Sequence, residues 1–182
     1  MRKRILWKNY GSLFGLIAIG LVMSLLSDRF FTLSNLINIA RQVSINAIIA
    51  MGMTMVIITG GIDLSVGSLV ALTGCTAILA MRLPGSDLTG IIIGLGLGAT
   101  IGLLNGLLIA YAKIPPFIET LAMLTIARGT ALVITNGQPI VRFKSPYRWL
   151  GEGMIAGVPV PVILMLLILG LTHFILSFTP LG

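Results

Sequence analysis

The sequence predicts an all-α, polytopic transmembrane helix bundle of about six spans. Three observations carry that prediction. First, 57% of the 182 residues are apolar and only 9% are charged, whereas a soluble domain carries about 25% charged residues. Second, the runs Leu64–Met81, Leu88–Ala112 and Val158–Gly182 contain no charged residue. Their lengths match the roughly 20 residues a helix needs to cross a bilayer. Third, no barrel-type alternation is visible, and lipid leaves backbone polar groups no partner outside a helix or a closed barrel.

Charges and Gly/Pro breaks place the spans near residues 11–27, 43–59, 64–81, 88–112, 116–135 and 158–177, in one transmembrane domain over 1–182. The first apolar run, Gly11 to Leu26, follows the cations Arg2, Lys3, Arg4 and Lys8. Ser24-Leu25-Leu26-Ser27-Asp28 has no small-x-small cleavage site, so this run reads as an uncleaved span rather than a signal peptide. The stretch Phe31–Gln42 sets Leu33, Leu36, Ile37 and Ala40 against Asn35, Asn38 and Arg41. That pattern suits either an interfacial turn or an extension of the second span.

The N-terminal cations point to a cytoplasmic start. Alternation then puts 28–42, 82–87 and 136–157 outside, with 60–63 and the turn at Lys113 inside. The outer loop with Arg142, Lys144 and Arg148 runs against the positive-inside rule; the first helix is given more weight because it usually dominates. The sequence stops at Pro180-Leu181-Gly182, at the edge of span six and without a polar flank, and reads as cut.

Several function classes are excluded. The net charge of +7 is scattered in juxtamembrane gaps, not gathered in a groove, and no nucleic-acid-binding motif is present. Cys75 is the single cysteine, which rules out an intrachain disulfide and reads as a small buried helix residue. His173 is the sole histidine, so no metal ligand set is expected, and it reads as a packed or interfacial side chain. No phosphate-binding glycine loop ending in Lys and Ser/Thr occurs. The sequence therefore predicts no catalytic residues, no cofactor and no ATP hydrolysis by this chain.

Four constellations remain. In Thr59-Gly60-Gly61-Ile62-Asp63-Leu64-Ser65-Val66-Gly67-Ser68, the glycines suit the end of one helix and Asp63 suits the cap of the next. Asp63 could also be a functional intramembrane carboxylate. Its place near the cytoplasmic edge favours capping over proton coupling. The stripe Gly90, Gly94, Gly98, Gly102 and Gly106, continued by Ala110, predicts close helix packing, and Gly67, Ala71 and Cys75 form a shorter one. Lys113-Ile114-Pro115-Pro116-Phe117-Ile118-Glu119-Thr120 reads as a turn and a helix start, with Glu119 in the first turn. Arg128 lies about 13 Å further along that helix, where a charge should face a protein interior or a watery path. The breaks at 60–61 and 115–116 resemble the interruptions beside transporter paths. In the outer loop, Tyr147 and Trp149 beside cations suit the lipid headgroup level or an acidic partner.

Along Asn46-Ala47-Ile48-Ile49-Ala50-Met51-Gly52-Met53-Thr54 and on through Gly60-Gly61-Ile62-Asp63-Leu64-Ser65-Val66-Gly67-Ser68, the sequence resembles the membrane permeases of bacterial ABC sugar importers, the ribose branch above all. Phe30-Phe31-Thr32 with Asn35-Leu36, Pro116-Phe117-Ile118 with Thr120-Leu121, Arg128-Gly129 and Thr135-Asn136-Gly137 extend the resemblance to nearly the whole chain. It implies a subunit of the bacterial inner membrane that moves ribose or a related monosaccharide by alternating access. It implies three protein partners: a second permease copy, a cytoplasmic ABC ATPase that hydrolyses the ATP, and a periplasmic sugar-binding protein over the 136–157 loop. Path residues would come from Gly60, Gly61, Asp63, Ser65, Gly67, Pro116, Glu119 and Arg128. Family members continue after span six with a basic stretch, a coupling segment and further spans, so residues 1–182 alone are not expected to couple ATP hydrolysis to transport. Two other readings stand beside this one: an ion-coupled secondary carrier using Asp63, Glu119 and Arg128, and a non-transporting permease fragment.

Overall fold

The computed structural model describes residues 2–82, 87–141 and 146–179, with side chains from residue 10 onward. The expected outer turn at 82–87 and the cations Arg142 and Lys144 lie wholly or largely outside the described residues, as do Pro180–Gly182 and the side chains of Arg2, Lys3, Arg4 and Lys8. Six long helices follow one another: α1 (Arg2–Leu26), α2 (Leu33–Ile58), α3 (Val66–Met81), α4 (Asp87–Ala110), α5 (Pro116–Ile134) and, after a short irregular element, α7 (Val160–Phe178). That element holds a 3₁₀ turn (Pro146–Arg148), α6 (Trp149–Glu152) and the strands β1 (Met154–Ile155) and β2 (Val158–Pro159). The strands pair antiparallel, Ile155 opposite Val158, across Ala156 and Gly157, whose φ of 49° and 82° suit a tight hairpin turn.

The chain divides into two compact units, residues 1–43 and 44–182. In the first, Thr32 decides where α2 begins. Its Oγ1 accepts the Asn35 amide at 3.4 Å, as an N-cap does, and donates to the Arg29 carbonyl at 2.8 Å. Asn35 Nδ2 donates to the Phe30 carbonyl at 2.8 Å. The stretch left open between an interfacial turn and a helical extension is therefore an extension, and α2 starts at Leu33 rather than near residue 43.

The expected span count needs correction. Four helices, α2, α4, α5 and α7, are long and apolar enough to cross a membrane. The apolar part of α1 (Tyr10–Leu26) and α3 (Val66–Met81) are shorter. At 16 residues, α3 reaches about 24 Å, short of the roughly 30 Å hydrocarbon layer. It is short because the turn before it runs through Ser65 and uses residues that the sequence reading placed in the span.

In the second unit α3, α4 and α5 pack around Leu72, Ile101, Ala127 and Ala131, with Leu69, Leu97 and Met123 against them. The outward faces carry large apolar side chains such as Leu95, Ile126 and Leu167, the surface a bilayer requires. Glycines set the α3–α4 approach. A Cβ at Gly90 would collide with Met81 Cγ and stand 2.6 Å from the Ala77 carbonyl oxygen; one at Gly94 would stand 3.0 Å from Ala77 Cβ. A Cβ at Gly98 would meet Thr73 Cγ2 at an ordinary 3.6 Å, whereas one at Gly102 or Gly106 would meet nothing within 4 Å. The stripe thus serves two ends: its first half is a helix contact and its second half is open.

That division predicts opposite outcomes for one substitution. Gly90→Ala should destabilise by about 1–3 kcal/mol through overpacking. Gly102→Ala should stabilise by about 0.5–1 kcal/mol, because a helical glycine is replaced at no steric cost. Thermal unfolding of both variants in one detergent checks the pair.

Candidate functional site

The site is built around the break between α2 and α3. Gly60 takes φ of +80°, a conformation that glycine adopts without steric cost. Its amide donates to the Ile57 carbonyl at 2.9 Å and the Gly61 amide to the Val56 carbonyl at 3.1 Å. This paired closure satisfies helix-end carbonyls that lipid could not. Asn136, with φ of 51°, ends α5 the same way, through Asn136 to Val133 and Gly137 to Leu132.

Asp63 was expected to cap α3, and here the structure departs from the sequence reading. The N-cap position belongs to Ser65, and Asp63 sits two residues earlier. Its Oδ1 accepts the Ser65 amide at 2.7 Å and the Ser65 hydroxyl at 2.6 Å, closing a local turn that positions the N-cap residue. The adjacent Ile62 carbonyl accepts from Thr120 Oγ1 at 3.1 Å, and that hydroxyl also reaches the Pro116 carbonyl at 2.8 Å. The break is thereby tied to the first turn of α5.

Behind it lies a buried polar cluster: Ser65, Asn105, Glu119 and Thr120 are all at most 5% exposed. With its amide oriented to suit its neighbours, Asn105 donates to the Ile101 carbonyl and to Glu119 Oε1, both at 3.1 Å. Its other amide atom faces Ser65 Oγ at 3.4 Å. Glu119 Oε2 is buried with no hydrogen-bond partner, a costly arrangement for a carboxyl group. The Ser65 hydroxyl gives its one proton to Asp63, so Ser65 and Asn105 lie between Asp63 and Glu119 without forming a continuous hydrogen-bonded chain.

Two cavities flank this core. One of about 450 Å³ lies among the α2–α3 break, the second half of α4 and the start of α5. Thr59, Asp63, Asn105 and Thr120 give it oxygens and an amide, and Gly102 and Gly106 leave it room. The other, about 340 Å³, lies between α3 and α5, bordered by Gly67, Ala71, Cys75, Arg128, Thr135 and Gln138 among others. The expected path residues are therefore divided. Gly61, Asp63 and Pro116 face the first cavity, and Gly67 and Arg128 face the second. Ser65 and Glu119 are in the buried cluster, and Gly60 makes the turn. Thr59, Asn105, Thr120, Thr135 and Gln138 were not among the expected path residues, although Thr59, Thr120 and Thr135 stood in the quoted motifs. Asn105 was the findable one, a lone amide in the apolar run of α4, where polar side chains bridge helices.

At the other end of α5, Arg148 Nη2 lies 2.7 Å from Glu152 Oε1, and the hydrogen bond and charge of that carboxylate hold the guanidinium pKa above its usual value. Trp149 is about half exposed. His173 Nδ1 lies 3.4 Å from Ser177 Oγ and its ring meets Phe178 edge-on. Among the described residues no three His, Cys, Asp or Glu side chains gather as a metal site would require.

The family model described as "Branched-chain amino acid transport system / permease component" matches residues 35–182. The ribose import permease protein of Escherichia coli K12 is 42% identical over 94% of this chain and 54% of its own length. That of Bacillus subtilis is 43% identical over 96% and 55%. The galactofuranose transporter permease protein of E. coli K12 is 38% identical over 100% and 56%. The chain spans about half the length of the curated relatives it matches. No solved structure matches.

Three substitutions at two positions test the geometry of the break. Asp63→Ala removes the acceptor for both Ser65 groups and should cost about 1.5–3 kcal/mol, whereas Asp63→Asn keeps an acceptor oxygen and should cost less. Thr120→Val keeps the shape but loses the link to Ile62, and should cost about 1 kcal/mol. Chemical unfolding in mixed micelles ranks the three; equal losses for Asp63→Ala and Asp63→Asn would contradict the turn described here.

Proposed function

Since this chain belongs to the branched-chain amino acid transport system permease-component family, we propose that it is the membrane-spanning part of an ABC importer for a neutral monosaccharide. The chain is a multi-pass membrane protein, with four helices long and apolar enough to cross. The observation that carries the sugar reading is similarity along nearly the whole chain to ribose import permease proteins from two distant bacteria. The galactofuranose and D-allose permeases among the relatives support a monosaccharide cargo.

In this reading the subunit sits in the inner membrane with its N-terminus inside and performs no chemistry of its own. A partner ATPase hydrolyses the ATP, a binding protein delivers sugar from outside, and a second permease copy completes the path. Thr59, Asp63, Asn105 and Thr120 offer hydroxyl-binding groups near the inner ends of α4 and α5, the oxygen and amide chemistry that a sugar needs once its hydration shell is stripped. Gly60, Gly61, Ser65 and Pro116 set the break that leaves this chemistry accessible, and Glu119 holds the cluster behind it. Gly67 and Arg128 border the other cavity, Arg128 nearer the outer side.

Uptake by membrane vesicles holding the full-length permease with its ATPase and binding protein tests this. Labelled D-ribose should accumulate only with ATP inside and should persist when a protonophore collapses ion gradients. Asp63→Asn should keep most of that uptake. Uptake that dies with the protonophore and ignores ATP would replace this reading with an ion-coupled carrier.

A further inference from the structure

Arg128 stands on α5 six residues before Ile134, or about 9 Å below that end of the helix. Its guanidinium offers five donors in a planar fork, and among the described residues no carboxylate borders the cavity it faces. Neither a hydrogen bond nor an ion pair occupies it among the described residues; the ion pair found there is Arg148 with Glu152. Its donors therefore call for water or for an oxygen-rich ligand.

The neighbouring groups restrict which ligand. The Thr135 hydroxyl spends its proton on the Ala131 carbonyl at 2.8 Å, so only its lone pairs are left for the cavity. The Gln138 side-chain amide both donates and accepts. A carboxylate only accepts; it would satisfy Arg128 but confront the Thr135 lone pairs, and inorganic phosphate could meet them only by turning one of its one or two remaining O–H groups towards Thr135. An alcohol both donates and accepts, and adjacent hydroxyls match the guanidinium fork. Ala71 and Leu132 on the same wall suit the C–H face of a sugar ring. The volume of about 340 Å³ is near the lower bound of roughly 300–1,000 Å³ for small-molecule pockets, room for one sugar ring.

We propose that this cavity is a subsite for a neutral monosaccharide, in which Arg128 donates to two neighbouring hydroxyls and Thr135 accepts from a third. The assignment rests on the sugar-import reading and gives that path a defined contact point on its outer half.

Cys75 borders the same cavity and serves as its reporter. The full-length permease complex is placed in lipid nanodiscs, and alkylation by N-ethylmaleimide is followed on the Cys75 peptide by mass spectrometry. D-Ribose at about ten times a millimolar Kd leaves about a tenth of the sites empty and should slow alkylation roughly tenfold. Inorganic phosphate at the same concentration should leave the rate unchanged. With each variant's own sugar-free rate as its reference, since a nearby cation favours the thiolate, Arg128→Gln should lose the ribose protection and Arg128→Lys should regain part of it. Alkylation indifferent to D-ribose, in a preparation that still takes up the sugar, overturns the subsite and leaves the importer reading standing; loss of all sugar uptake by the wild type strikes at the importer reading itself. Protection by phosphate in place of ribose overturns the neutral-ligand chemistry. Where Arg128→Gln fails to fold, the wild-type contrast between ribose and phosphate decides.

Discussion

Inside a bilayer a broken helix is tolerable only if its freed backbone groups find partners within the protein, and the break between α2 and α3 satisfies this closely. Gly60 and Gly61 return their amides to Ile57 and Val56, Asp63 accepts from Ser65, and Ile62 is held by Thr120. Each of those bonds places something else. The closure aims the chain away from α2, the Asp63 turn sets the first residue of α3, and Thr120 brings α5 to the same point. The larger cavity exists because this crossing is fixed without filling the space beside it.

The α4 glycines show how one sequence feature can carry two structural meanings. At Gly90 and Gly94 the missing side chain lets α3 approach until a methyl group would collide, as membrane helices do when packing is their main attraction. At Gly102 and Gly106 the same absence leaves open space that the larger cavity occupies. Regular spacing alone carries no sign of this change, because it depends on where α3 begins and how far it runs beside α4.

Two charged residues on α5 meet opposite fates. Glu119 is enclosed by α4 and the start of α3 and shares one oxygen with Asn105. Arg128 is exposed and faces a cavity. Nine residues separate them, about 13 Å along the axis, so one belongs to the tightly packed foot of the helix and the other to a part that α4 does not cover. Sequence put Glu119 in the first turn and Arg128 deep in the span and marked both as candidate path residues; the distinction between a structural carboxyl and an accessible guanidinium was beyond it.

By itself the sequence determined the class of the molecule, because composition and uncharged runs admit only a helical membrane protein. It also located the glycine closure at residue 60 and the proline start of α5, since both depend on backbone conformations particular to those residues. It left the start of α2 open and put that of α3 two residues early, because Thr32 acts as a cap only once the chain has turned at Arg29, and Asp63 bonds Ser65 ahead of the helix rather than within it. Tertiary structure alone decided which polar residues meet. Asn105, Glu119 and Ser65 come from three separate segments, and their contact follows from how α3, α4 and α5 cross, a relation among helices that no local pattern encodes.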